Sequence, residues 1–218
     1  MSSNFAAPTR RLILGAGALS LLPFGVAAAQ TPPAPAPAAP TLAPPTDPRM
    51  ADRINGSPTA KLVVMEVFSY TCSHCAHFAA EVFPKIEANL ISTGKLRYAW
   101  QEFPRDALDL AAAMLARALP ADRFEAFTLD LLRTQKNWAF DPSRNSREEL
   151  ARLASFAGMS RELFDQTLAD AGLKNAILLK ASVAQKTFGI HGTPTFVTDG
   201  KIAAIELTYD SFVKFIGA

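Results

Sequence analysis

Cysteine is scarce, with two residues in 218. Two thiols exclude a multi-disulfide scaffold and the four-cysteine zinc and iron–sulfur sites. Histidine is nearly as rare, at three. An excess of one charge is also missing. The 22 Lys and Arg against 20 Asp and Glu leave no field for nucleic acid or an anionic lipid surface. Beyond residue 30, no apolar run approaches the length of a membrane span. Hydrophobic residues, by contrast, make up 49% of the chain, enough to build a core and to exclude disorder throughout. The length fits one domain, or one domain carrying an insertion.

Residues 1–29 contain no acid, and their only bases are Arg10 and Arg11. An apolar stretch from Leu12 to Val26 follows, then Ala27, Ala28 and Ala29, an A-x-A cleavage pattern. That order reads as a secretory signal peptide. Thr9, Arg10, Arg11, Leu12, Ile13 and Leu14 resemble a twin-arginine export signal, and export of the unfolded chain stays open beside it. The competing reading is an uncleaved anchor. Gly15, Gly17, Pro23 and Gly25 weaken a membrane helix, and the alanines offer a cut. Cleavage would leave 22 − 2 = 20 bases against 20 acids, a formally neutral protein. Its two thiols would then sit in an oxidising compartment, the periplasm of a bacterium.

Eight of the 16 prolines fall within residues 30–48, among Ala and Thr. Residues 30–51 are therefore expected to be an extended, disordered spacer, and residues 52–218 the folded domain. Leu62 to Phe68 is an almost unbroken apolar run rich in Val and predicts a buried parallel strand. From Cys75 onward Phe78, Val82, Phe83, Ile86 and Leu90 recur at helical spacing, with Pro84 expected to kink the helix. Gly94 closes that unit, and Leu96 to Trp100 predicts a second strand. Helices are expected from Asp106 as cap to Ala118, from Asp122 to Thr134, from a capping box at Ser146 and Glu149 to Gly158, from Ser160 to Ala171, and from Leu173 to Thr187. Then come a strand at Thr195 to Val197, a turn at Asp199 and Gly200, a strand from Lys201 to Leu207, and a helix from Thr208 to Ile216. Trp100 and Trp138 are expected in the core. The sum is α/β: β-α-β, a helical block at about 105–188, then β-β-α.

The chemistry is expected at Cys72 and Cys75. Two residues between cysteines, at the first turn of a helix, let both sulfurs meet in a small-ring disulfide. Unpaired helix N–H groups face the first sulfur and the dipole favours negative charge there. Cys72 is thus expected to be a low-pKa nucleophile and Cys75, one turn deeper, the resolving thiol. A protonated His74 would add positive charge beside Cys72. Stabilising a thiolate by about three pKa units makes the disulfide about 90 mV more oxidising, other things equal. Such a pair donates its disulfide. His77 and His191 read either as electrostatic tuners of Cys72 or as solvated polar positions.

His191, Gly192, Thr193, Pro194 and Thr195 form a second element, far away in sequence. Thr193-Pro194 is a candidate cis bond at a strand start, and an ordinary trans proline in a loop is the alternative. A cis bond would turn the Thr193 backbone edge outward, where an extended peptide could pair.

Together these elements resemble the thioredoxin superfamily. The 118 residues between Cys75 and Pro194 are too many for plain thioredoxin. A helical insertion of that size, between the second strand and the Pro194 strand, resembles the DsbA-type periplasmic thiol:disulfide oxidoreductases. The local sequences Glu66 to Cys75, Glu102 to Pro104 and Gly192 to Phe196 carry the likeness, with Ser73 departing from the commoner proline. The resemblance implies a nucleophilic Cys72, a resolving Cys75, and a cis-proline loop at Thr193 and Pro194 that binds substrate. It also places an acid at Glu66. Burial would raise the pKa of Glu66 and let it take a proton from Cys75; pairing with Arg97 across the sheet is the alternative.

The expected activity is oxidation of reduced exported polypeptides by a periplasmic monomer without cofactor or metal, recycled by a membrane redox partner and binding no nucleic acid. Isomerase or reductase action on a periplasmic partner is the alternative within thiol chemistry. A metal-binding chaperone using Cys72, Cys75 and histidines is the alternative outside it.

Overall fold

The structure is a computed structural model that describes residues 47–218. The expected export signal and most of the expected spacer lie outside the described residues. Order begins earlier than residue 52. Asp47 caps a single 3-10 turn, Pro48–Met50, and Met50 is buried. Arg49 bridges Asp47 and Asp170. The buried guanidinium of Arg117 donates to the carbonyls of Arg49 and Ala51 and pairs with buried Glu102. Residues 47–51 thus belong to the domain, because partners remote in sequence hold a segment whose composition reads as free chain.

Among the described residues five strands form one sheet in the order β1-β3-β2-β4-β5. They are β1 (Arg53–Asn55), β2 (Leu62–Phe68), β3 (Leu96–Glu102), β4 (Thr195–Thr198) and β5 (Lys201–Ala203). β2 and β3 run parallel; the other pairs are antiparallel. Side chains alternate across a strand. Val64, Glu66 and Phe68 therefore share one face of β2 while Met65 and Val67 line the other. The first face meets an aromatic core of Phe78, Phe83, Tyr98, Trp100, Phe196 and Phe212, with ring centroids 4.8 to 6.4 Å apart. The second packs Val67 and Val197 against Ile190 and Phe188. Trp138 is buried as expected.

The helix after Cys72 is α-helical at α1 (Ser73–His77) and α2 (Phe83–Ile86). π-type turns occupy Phe78–Val82 and Glu87–Ile91. The expected distortion at Pro84 takes this form: the turn widens just before a residue that has no N–H to give. The insertion between β3 and β4 comprises α3 (Ala107–Ala118), α4 (Ala121–Arg133), α5 (Gln135–Ala139), α6 (Ser146–Phe156), α7 (Arg161–Ala169) and α8 (Ala171–Phe188), and α9 (Tyr209–Ile216) closes the chain. Asp106 and Thr208 cap α3 and α9 through their side chains, as expected, and Ser160, expected as the first residue of a helix, caps α7 instead.

Two expectations need correction. The cap of α6 is Asn145, whose carbonyl oxygen accepts from the Arg147 and Glu148 N–H groups; Ser146 lies inside the helix and Glu149 pairs with Arg144 and Arg152. β5 ends at Ala203 rather than Leu207, and Ile205 and Leu207 instead pack on the core from a non-strand segment. Patterning also did not predict β1, three residues that pair with β3. The result is a thioredoxin-like α/β fold with a helical insertion between β3 and the strand that follows Pro194.

Candidate active site

β2 delivers the chain to the site through Ser69, Tyr70 and Thr71, and side chains of the insertion hold this loop. Asp109 is buried. Its Oδ1 accepts the Tyr70 N–H at 2.8 Å, and its Oδ2 accepts the Ser69 hydroxyl at 2.5 Å and the Arg105 N–H at 2.9 Å. Asp106 caps α3 with Oδ1 and accepts the Thr71 hydroxyl with Oδ2 at 2.7 Å. From α5, buried Gln135 donates Nε2–H to Tyr70 O at 2.7 Å and Cys72 O at 3.0 Å. Burial pushes the Asp109 carboxyl up to about 6, against the hydrogen bonds it accepts. Neither Asp109 nor Gln135 carries a signal in the sequence. Each is one polar residue in a helix, and only the packing of that helix over the loop gives it a role.

Cys72 is the N-cap residue of α1, with extended backbone, and Cys75 lies one turn in. Both are free thiols. The bond between Thr193 and Pro194 is cis, and it brings Thr193 to the Cys72 sulfur: as a thiol, Cys72 donates to Thr193 O at 3.2 Å. Thr193 Oγ1 is buried without another partner, which leaves its proton available to the sulfur. Cys72 is only 3% exposed, yet Ser73, His74, His191 and Gly192 around it are exposed, so it sits at the floor of an accessible surface.

The two sulfurs ionise in opposite directions. Hydrogen bonding with the Cys75 thiol is the main cause that lowers Cys72, from an ordinary 9.0 to about 4; the Thr193 side chain and the backbone N–H groups of Cys75 and His74 add to it, and burial opposes it. Burial pushes Cys75 well above the usual thiol range, and the hydrogen bond with Cys72 and the charges of Glu66 and Cys72 push it further.

Glu66 lies beneath this pair on the aromatic face of β2, 1% exposed, flanked in the sheet by Trp100 and Phe196. The Tyr98 hydroxyl donates to its Oε2 at 2.6 Å, and Oε1 is buried without a partner. Burial raises its pKa to about 8, opposed by the Tyr98 hydrogen bond and reinforced by the charge on Cys72. The Arg97 pairing does not form: Arg97 stands opposite Val63, three residues away along β2. His74, His77 and His191 are all exposed. Among the described residues no group of three or more His, Cys, Asp and Glu side chains is placed to hold a metal ion.

The fold and this site have relatives. A protein of Rickettsia bellii provisionally named a protein-disulfide oxidoreductase is 31% identical over 150 residues, which is 68% of this chain and 57% of that one. The match thus spans little more than half the length of that relative. Among solved structures, alpha-DsbA1 of Wolbachia pipientis superposes with a TM-score of 0.67 at 28% identity, covering 77% of this chain and 89% of that one. A protein-disulfide isomerase of Novosphingobium aromaticivorans gives a TM-score of 0.66 at 25% identity, covering 76% and 95%. The sequence model of the family described as thioredoxin matches residues 49–218, from the 3-10 turn that opens the ordered domain to its last residue, and the chain therefore belongs to the thioredoxin family.

Proposed function

We propose that this protein is a thiol:disulfide oxidoreductase that passes the Cys72–Cys75 disulfide to reduced exported polypeptides. The opposed ionisation of the two sulfurs carries this reading. A substrate thiolate attacks Cys72 Sγ, a substrate–Cys72 disulfide forms, and the Cys72–Cys75 bond breaks. Cys75 leaves as a thiolate of high basicity and takes a proton; Glu66, protonated below about 8, has an unpartnered oxygen to give it from. A second substrate thiolate then attacks the substrate sulfur, and Cys72 leaves as a thiolate that needs no proton at neutral pH. Two electrons have moved from the substrate dithiol to the protein, and a membrane redox partner must remove them. The place of action is the bacterial periplasm, a reading supported by the Arg10-Arg11 and Ala27–Ala29 pattern. Thr193 and Pro194 bind the substrate backbone beside the sulfur, the His74 backbone N–H supports its anion, and the domain works as a monomer.

Holding Cys72 anionic at pH 7, three units above its pKa, favours the reduced form by about 90 mV, which supports donation over reduction. The Novosphingobium neighbour's name favours a second reading, disulfide isomerisation, which shares the first step and differs in returning the disulfide to the substrate. Cysteine variants test the common chemistry. Cys72→Ser is expected to abolish exchange with a dithiol peptide, and Cys75→Ser to accumulate the mixed disulfide seen on non-reducing gels. A fully active Cys75→Ser variant contradicts the assignment of roles.

A further inference from the structure

A cleft of about 450 Å³ opens beside the nucleophile between α1 and the junction of α4 and α5. It starts at Ser73, the residue after Cys72, and includes Gln135, whose side chain holds the Cys72 carbonyl. Ala76, Ala80 and Leu132 supply small and apolar lining, Arg133 and Lys136 supply two positive charges, and no carboxylate lines it. The nearest acids along the chain, Glu81 and Asp130, are not among its lining residues.

Those two cations differ from four others in the same insertion. Arg144, Arg147, Arg152 and Arg161 on the far part of the insertion are each paired with a carboxylate. Arg133 and Lys136 are exposed and make no ion pair among the described residues. Other lysines and arginines of the domain also lack ion pairs, but these two line a cleft that contains Ser73 and no carboxylate, so their charge faces any occupant beside Cys72. The apolar lining is confined to small side chains and Leu132, so charge complementarity to Arg133 and Lys136 is what selects an occupant.

We propose that this cleft docks an acidic stretch of the thiol-bearing polypeptide, adjacent to the cysteine that attacks Cys72. The proposal rests on the oxidoreductase reading and adds to it a substrate class. Each exposed cation contact changes an affinity about threefold, so the pair should favour an acidic over a basic sequence about tenfold.

The test compares two dithiol peptides of equal length, one with Glu and one with Lys flanking its cysteines, at low and at physiological salt. The full-length protein is expected to oxidise the acidic peptide about tenfold faster, with the preference shrinking as salt rises. In the Arg133→Glu/Lys136→Glu variant the ratio is expected to fall to one or invert; a ratio is insensitive to any general loss of activity. Equal rates in the unmodified protein at low salt, or a preference that survives the charge reversal, overturn the proposal. If neither peptide is oxidised, the oxidoreductase reading has failed instead, and fluorescence anisotropy of thiol-free Ser versions of the peptides still decides the docking. Tighter binding of the acidic version supports the cleft; equal binding removes it.

Discussion

Cys72 and Cys75 have the same covalent chemistry, and position alone separates them. Cys72 has extended backbone ahead of a helix and collects donors. Cys75 is inside the helix, over an aromatic face, and meets the charges of Glu66 and Cys72. Glu66 is the residue whose state connects them to pH. Its pKa is raised in the fold to about 8 from an ordinary 4.5, so the stability it permits is fully present below 4.5 and lost as pH rises through 8. Replacing it should remove that loss. Between pH 5 and pH 7.5, urea unfolding of Glu66→Gln is expected to gain about 3 kcal/mol relative to the unmodified protein. An unchanged difference across that range would mean that Glu66 is already ionised in the folded protein. The Cys72–Cys75 pair was readable as a candidate site because a two-residue gap at a helix start is a local pattern. The Arg97 alternative for Glu66 could be discarded only with the strand register, which sets Val63 opposite Arg97.

The elements that hold the site come from the insertion rather than from the strand and helix on either side of Cys72. Asp109 of α3 satisfies three donors at once, the Tyr70 and Arg105 N–H groups and the Ser69 hydroxyl. Asp109→Ala leaves the buried Ser69 hydroxyl and Tyr70 N–H without this acceptor and should destabilise the domain by about 2–4 kcal/mol in equilibrium unfolding. A loss below about 0.5 kcal/mol would show that the loop holds without it. Helix caps were legible at Asp106 and Thr208, since a capping side chain reaches only two or three residues forward. At α6 two adjacent polar residues competed, and Asn145 prevailed over Ser146 by reaching two N–H groups. β1 was illegible because three residues carry no period. Its marker is Gly56, which has a positive φ and lies so close to the Leu96 carbonyl that a Cβ would sit 2.4 Å from it. Gln135 and Asp109 were illegible for a different reason, because their partners lie dozens of residues away and no local spacing records them.

The described part of the molecule is a sheet with the helix of Cys72 and Cys75 on one face and an insertion that reaches over the loop leading to it. Its overall order followed from the sequence, because β-α-β and β-β-α units flank a helical block of the right length. The inclusion of residues 47–51 in the domain did not, since Arg117, Lys180 and Asp170 secure that segment from afar. Redox state and stability are linked at this scale. A Cys72 pKa lowered to about 4 from 9.0 contributes stability that is full above 9 and disappears as pH falls through 4. Only the reduced protein has that thiolate. The stability of the reduced form relative to the oxidised form should therefore rise by about 4 kcal/mol from pH 4 to pH 7, read from paired urea titrations. A difference independent of pH would sever potential from ionisation.

The central claim is that Cys72 is an anion at neutral pH. The rate of iodoacetamide alkylation of the reduced protein, followed by mass spectrometry from pH 3 to pH 10, measures this directly. A single modification at Cys72 with a midpoint near 4, and a Cys75 that stays unreacted, is the predicted result. A midpoint near the ordinary thiol value of 9.0 would contradict it.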